Sequence, residues 1–385
     1  MRIDINYSVE KMEKSRKRME ARGNYKYYDR APVIFCLSPR YFTRVFGIEY
    51  NEIFKDAKTQ FHWQLQIAKY RAEQVGDDFL TSPIVYVHPY FDNVVPSSAF
   101  GSDIHWVYNE TPQAVPTMND PSDIDKFRIP EPTEALWGKV IDWWGEMQEY
   151  AKDTELWFGD TKGEVKVAGL SLNGIGPHMI AIDLAGTNFY WWMVEYPKQC
   201  HKLLDGITTG MANAEHHLRK IDPVPRAAYG LAEDSAQIMS PEMFKEFVVP
   251  YDLRLYDEFA GGENDPRSMH MCGDSTHLHE SLVNDLRISD FQLFGFAVSP
   301  EVAAKNLGGK TRLWGNINPM LIKDGTPGEI KAAAFNALDA LIPCGGFLLS
   351  DGANICPGTS LENLAAMIEA AEEHAREHPQ YYNNI

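Results

Sequence analysis

The segment Ser268-Met269-His270-Met271-Cys272-Gly273-Asp274 sets an imidazole and a thiol two positions apart, between a short apolar run and a helix-like one. On an extended strand, residues i and i+2 share a face, so His270 and Cys272 can turn toward one metal ion. Cys356 lies in Ser350-Asp351-Gly352-Ala353-Asn354-Ile355-Cys356-Pro357, a second place where a strand pattern runs into a helix pattern. A His-x-Cys pair with a distant Cys supplies the three protein ligands of a catalytic zinc site, whose fourth position is left to water or substrate. The bland alternative is a packed strand end, in which the imidazole bonds a carbonyl and the thiol fills space.

Polar groups at other strand ends are candidates to complete the site. Glu233 and Asp234 follow the run 227–232, where either serves as a metal ligand in place of a cysteine or as a general acid that protonates a leaving oxygen. Asp351 and Asn354 stand likewise after the run 347–350, Asp351 as an acid and Asn354 as a substrate contact. The stretch Ser171-Leu172-Asn173-Gly174-Ile175-Gly176-Pro177-His178 offers Asn173 and His178 at a third strand end. Helix caps, solvated loop groups and a turn shaped by two glycines and a proline are the competing readings. Cys344 precedes its strand and belongs to the N-terminal face of a barrel, which reads as structural. His277 and His279, and the pair His216-His217, read as packing or surface histidines.

These groups need a scaffold of strands. Apolar runs rich in β-branched and aromatic residues occur at 33–37, 84–87, 165–172, 227–232, 269–272, 291–296, 312–315 and 347–350. Between most of them lie helix-period segments with start signals. Ser240-Pro241 reads as an N-cap followed by proline, and Thr326-Pro327-Gly328-Glu329 and Thr359-Ser360-Leu361-Glu362 read as capping boxes. Leu361, Leu364, Ile368 and Ala371 repeat on one face of the last helix, as a core stripe does. Strands alternating with helices imply parallel pairing, because parallel neighbours require a crossover. Eight such units predict an α/β fold of the (β/α)₈ TIM barrel type. The doubly wound alternative lacks its nucleotide-binding fingerprints, since neither Gly-x-Gly-x-x-Gly after an early strand nor a phosphate-binding Gly-x-x-x-x-Gly-Lys loop occurs.

No repeat, low-complexity run or long linker divides the chain, so a single domain over 1–385 is expected. Residues 1–29 would be an N-terminal helical extension, and the Pro- and aromatic-rich stretch 91–139 an insertion that lids the barrel. The 385 residues are 44% apolar and carry a formal net charge of −18. That charge argues against a nucleic-acid binder, which shows a basic face. No run approaches the roughly 18 apolar residues of a membrane span, and five scattered cysteines suit a reducing compartment. The expectation is a cytoplasmic protein that meets small molecules or protein partners and neither nucleic acid nor membrane.

The ordered series His270-Met271-Cys272-Gly273, Trp314-Gly315-Asn316-Ile317-Asn318-Pro319, Gly325-Thr326-Pro327-Gly328-Glu329-Ile330, Gly345-Gly346-Phe347-Leu348-Leu349-Ser350 and Pro357-Gly358-Thr359-Ser360-Leu361-Glu362-Asn363 resembles the uroporphyrinogen decarboxylase-like superfamily. Arg30-Ala31-Pro32-Val33 and Ser240-Pro241-Glu242-Met243-Phe244 fit it as well. The resemblance covers most of the chain and implies a barrel with its site at the C-terminal strand ends. Its decarboxylase branch carries an arginine-rich segment near the start; here Leu37-Ser38-Pro39-Arg40-Tyr41-Phe42 keeps one arginine, too few for a substrate with eight carboxylates. The His-x-Cys-Gly segment is similar to that of the zinc methyltransferases that work with corrinoid proteins.

That resemblance implies Zn²⁺ held by His270, Cys272 and a third ligand, a corrinoid cofactor carried by a partner protein, and a small methylated substrate. Where thiol-methylating members have a cysteine after the last strand, this chain has Asp351-Gly352-Ala353, and the nearest thiol is Cys356. The glutamate that related zinc barrels place after the following strand is absent from Gln292-Leu293-Phe294-Gly295-Phe296. A shifted ligand set points to a methyl ether or methylamine as methyl donor. A metal-free decarboxylase and a non-catalytic corrinoid- or tetrapyrrole-binding protein are the alternatives, and a homodimer stays open. The aromatics Phe189-Tyr190-Trp191-Trp192, Tyr86, Tyr90 and Phe91 read as core, with a stacking wall for an aromatic substrate or corrin ring as the other reading.

Overall fold

The computed structural model describes residues 1–170, 174–223, 228–260 and 266–382. Its strands are β1 Arg2–Ile5, β2 Ile84–Val87, β3 Asp103–His105, β4 Gln113–Val115, β5 Glu155–Phe158, β6 Thr161–Val167, β7 Gly174–Ile175, β8 Tyr229–Ala232, β9 Arg267–His270, β10 Asp290–Gln292, β11 Arg312–Ile317 and β12 Phe347–Asp351. Among the described residues, β12-β11-β10-β9-β8-β7 form one sheet in that order. Every pairing in it is parallel, and the helices between the strands supply the crossovers. A second sheet runs β1-β5-β6-β2. Val33 bridges Leu349 of β12 in parallel.

The molecule is thus a (β/α)₈-type barrel, with all five side chains of β12 buried, as expected of strands covered on both faces. The strand patterns lie where the apolar runs foretold, with instructive differences at their ends. The run 269–272 gives a strand that ends at His270, and 291–296 one that ends at Gln292. The run 33–37 keeps one isolated bridge, at Val33. The expected N-terminal extension opens with a strand, because β1 pairs in parallel with β5.

The helix Val9–Gly23 spans the floor of the barrel, the N-terminal side of its strands. Arg22 there is buried and donates to the carbonyls of Leu313 and Gly346 and to the carboxylate of Asp290, all at strand starts. Asp78 is buried beside it and accepts from Ser15, Arg18, Arg30 and the Val33 backbone. Burial opposes the charge of Asp78, but Arg30 and Arg18 outweigh it and hold the carboxyl below its usual range. At the opposite end, residues 91–139 contain short helices at Asp92–Val94 and Val95–Ala99, the β3–β4 hairpin and a turn of helix at Pro121–Lys126. The Arg40–Glu110 ion pair at 2.6 Å fastens this insertion to the helix Pro39–Phe46.

Helix starts follow the capping chemistry of their side chains. Ser240 accepts from the Met243 N–H, and Thr326 with Glu329 forms the reciprocal box. At the last helix, Leu361–Glu377, the cap is Ser360 and its partner is the Asn363 N–H. The box expected between Thr359 and Glu362 is replaced by a simple Ser360 cap one residue later, and Thr359 instead donates its hydroxyl to the Cys356 carbonyl.

Candidate metal centre

Three strands end side by side at the rim. His270 closes β9 and is paired with Ala232 of β8 and Gln292 of β10. Its Nδ1 lies 3.0 Å from the Gln292 carbonyl; a carbonyl only accepts, so Nδ1 carries the hydrogen, which in the neutral ring leaves the Nε2 lone pair for a metal. That is the orientation a metal-ligating imidazole takes when a carbonyl fixes its tautomer. Nε2 lies 3.6 Å from Asp234 Oδ1.

Asp234 follows β8 and opens the short helix Asp234–Ile238. The same Oδ1 accepts the Cys272 N–H at 2.7 Å. Cys272 lies beyond the end of its strand, so this hydrogen bond, and not strand alternation, brings the thiol beside His270. One donor atom each from Asp234, His270 and Cys272 falls within 4.8 Å of the other two. Ligands at about 2.1 Å in tetrahedral array stand about 3.4 Å apart, so the 3.6 Å between His270 Nε2 and Asp234 Oδ1 fits a divalent cation site, with the Cys272 thiol within 4.8 Å of both. Burial, then the adjacent Asp234 charge, pushes the Cys272 thiol up to about 12.

Gly273 and Gly295 make the approach of these loops possible. A Cβ on Gly295, whose φ is +84°, would meet the Gly273 carbonyl oxygen at 2.1 Å, and one on Gly273 would overlap the Gln237 side chain. Asn316 secures the same loop by donating to the carbonyls of Gly295 and Val298, which gives the Trp314–Pro319 segment a structural task.

Asp234 and His270 share a cavity of about 540 Å³ with Cys36, Arg40, Asn354 and Cys356. Cys356 stands apart from the three clustered donors, its Sγ 3.7 Å from Met320 Sδ. Asn354 accepts from the Cys36 thiol at 3.2 Å. Asp351 is wholly buried behind Cys36; Oδ1 accepts the Cys36 N–H at 2.9 Å, and Oδ2 has no hydrogen-bond partner. Burial pushes its carboxyl up to about 6. Tyr50, Tyr90 and Asp92 add a hydrogen-bonded trio to the wall. Tyr90 also faces an adjoining apolar chamber of about 240 Å³ with Trp63, Phe79 and Tyr86.

Glu233 is placed differently from its neighbour Asp234. It is fully buried and caps the helix Pro177–Ala185, accepting the His178 and Met179 N–H groups at 3.1 Å. Burial raises its carboxyl toward the protonated form, and burial together with the nearby Glu233 charge does the same for Asp252. His178 is buried against Phe189 and Tyr190, with Nδ1 3.1 Å from Ser235 Oγ, and desolvation depresses it to about 3, so the ring is neutral. Asn173 lies outside the described residues. His279 is buried, and His277 meets the Met239 carbonyl at 2.9 Å. Of the aromatic groups, Phe189, Trp192 and Phe91 are buried, while Trp191 is exposed. Cys36, Tyr50 and Asp92 also line the cavity, and no motif in the sequence announces them.

Fold and site together define a barrel protein with a candidate metal centre at its C-terminal rim. The chain matches the uroporphyrinogen decarboxylase (URO-D) family over residues 14–374 and belongs to that family. It is 25% identical over 317 residues to a methylated-thiol–coenzyme M methyltransferase of Methanosarcina mazei, covering 80% of this chain and 77% of that one. It is 30% identical over 207 residues to the methylcobamide:CoM methyltransferase MtaA of Methanosarcina barkeri, about half of each chain (52% and 56%). A uroporphyrinogen decarboxylase of Danio rerio is 23% identical over 296 residues, 74% of this chain and 75% of that protein. Among solved structures, a methyltransferase from Methanosarcina mazei superposes with a TM-score of 0.67 over 96% of this chain and 99% of its own, at 20% identity.

Proposed function

We propose that this protein is a zinc-dependent methyltransferase that moves a methyl group between a small methylated substrate, a methyl ether or methylamine, and a corrinoid protein. The observation that carries the reading is the Asp234–His270–Cys272 cluster, three donors within 4.8 Å of one another at the barrel rim. Relatives named as methyltransferases support it. So does the scarcity of cations: Arg40 is the one guanidinium or ammonium among the described residues of the cavity, and Glu110 already pairs with it. A substrate with many carboxylates would find little there.

Asp234, His270 and Cys272 would hold Zn²⁺, with Cys356 at the cavity wall beyond them. The ion supplies Lewis acidity that makes the demethylated oxygen or nitrogen a better leaving group. Gln292 keeps the His270 hydrogen on Nδ1, and the Cys272 N–H keeps Asp234 turned inward. Asp351 is the better-placed proton source of the two buried acids, because one of its oxygens makes no hydrogen bond, whereas both oxygens of Glu233 are committed to a helix cap. The Tyr50–Tyr90–Asp92 trio orients polar substrate groups, and the apolar chamber accepts a ring or alkyl body.

Metal analysis of the purified protein, with methylation of a free or protein-bound corrinoid followed by absorbance over a panel of methoxy-aromatics and methylamines, tests the reading. His270→Ala should lose rim zinc and turnover together, while Cys356→Ser should keep the metal. Undiminished methyl transfer by His270→Ala would refute the mechanism, and a metal-free protein that decarboxylates porphyrinogens would replace it.

A further inference from the structure

The helices Pro327–Leu341 and Leu361–Glu377 pack side by side outside the barrel, and both run toward its floor. Near their ends Asp339 of the first faces His374 of the second and His378, the residue that caps the second. The two histidines are one helical turn apart, so they share a face.

His374 is wholly buried. Its Nδ1 lies 2.7 Å from the Tyr382 hydroxyl. Its Nε2 lies 3.3 Å from Asp339 Oδ1 but makes no hydrogen bond with it or with any other group. The separation suits a hydrogen bond and the direction does not, so the nitrogen is aimed beside the carboxylate oxygen. His378 Nε2 is 3.6 Å from the same oxygen, and the two imidazole rings are 4.5 Å apart. All three donor atoms lie within 4.8 Å of one another.

A buried nitrogen without a partner is destabilising. Protonating both rings would set two like charges 4.5 Å apart, and a neutral His374 that donates its Nδ1 hydrogen to Tyr382 sets the Nε2 lone pair toward the Asp339 carboxylate. A cation held in common resolves each of these conflicts. The separations of 3.3 and 3.6 Å bracket the roughly 3.4 Å edge of a tetrahedral site with N and O ligands. Two imidazoles and one carboxylate suit zinc, cobalt or nickel and are ill matched to magnesium or calcium, which take all-oxygen shells. Asp339 and His378 retain solvent exposure, so an ion can enter and keep water as its remaining ligand.

We propose that Asp339, His374 and His378 form a second transition-metal site, at the floor of the barrel and remote from the chemistry, which clamps the end of the last helix to its neighbour. The test uses the full-length protein, stripped of metal, with Zn²⁺ or Mg²⁺ alone as titrant in calorimetry. The wild type should take up two equivalents of Zn²⁺, and His378→Ala and Asp339→Asn should each lose one while retaining methyl transfer. His270→Ala should keep the floor equivalent, and Zn²⁺ should raise its thermal midpoint in a way that the added His378→Ala change abolishes. Cobalt distinguishes the sites independently of folding, because the rim contains a thiolate and gives a sulfur-to-cobalt charge-transfer band, whereas the floor gives none. Unchanged stoichiometry in both His378→Ala and Asp339→Asn, or equal uptake of Mg²⁺, overturns the proposal. If the rim fails to bind, the wild type takes up one equivalent, which His378→Ala removes and His270→Ala does not.

Discussion

Two neighbouring carboxylates, Glu233 and Asp234, show how strongly surroundings divide residues that look equivalent in a sequence. Asp234 reaches Cys272 and His270, whereas Glu233 turns into the protein to satisfy two helix N–H groups. Composition and order revealed both as candidates but not which way each faces, because that depends on the helix that needed a cap. The partnership of Asp234 and Cys272, 38 positions apart, is likewise visible only once β8 and β9 lie together. Asp351 yields a pH prediction at this scale. Its folded carboxyl titrates at about 6, above the ordinary 3.8, so between these values the folded state holds a proton that the unfolded state has lost. Stability therefore falls as pH rises through that window, by on the order of 2–3 kcal/mol if the group acts alone. Asp351→Asn, which keeps an acceptor for the Cys36 N–H, should flatten that part of the pH–stability curve in chemical denaturation. An unaltered slope between pH 4 and 6 would show that Asp351 is not the group responsible.

At the level of elements, β-branched and aromatic runs announced the strands well, and serine and threonine caps announced the helices. Strand ends were less legible. The run 269–272 continues apolar through Met271, but the ladder stops at His270 because Cys272 spends its N–H on Asp234 instead of a neighbouring strand. The run 33–37 fails as a ladder for a similar reason, since the N–H groups of Val33 and Phe35 go to the carboxylates of Asp78 and Asp77. Loop packing at the rim gives a sharp expectation for Gly295→Ala. The φ of +84° and the 2.1 Å approach to the Gly273 carbonyl leave a methyl group no room, so the Cys272–Gly273 loop must move. Zinc affinity should drop 10- to 100-fold, the range for lost supporting interactions, with the barrel still folded by circular dichroism. Wild-type affinity in this variant would show that the loop does not depend on that contact.

Across the whole molecule, buried ion pairs tie the first helix to the floor, and the Asp234–His270–Cys272 donors gather at the rim. Arg22 joins the first helix to the starts of three strands, so Arg22→Ala should lower stability by about 3 kcal/mol, the scale for breaking a buried pair. Thermal denaturation measures this, and zinc content and kcat at low temperature should remain those of the wild type; a loss of metal without a loss of stability would contradict the division. The (β/α)₈ architecture was readable because strand and helix periods alternate along the chain, whereas Arg22 and Asp290 are too far apart in sequence for their pairing to be seen. A chassis anchored at its base leaves the opposite lip free to drift. Side chains there can be exchanged without risking collapse, in keeping with decarboxylases and methyltransferases both standing among the relatives of this chain.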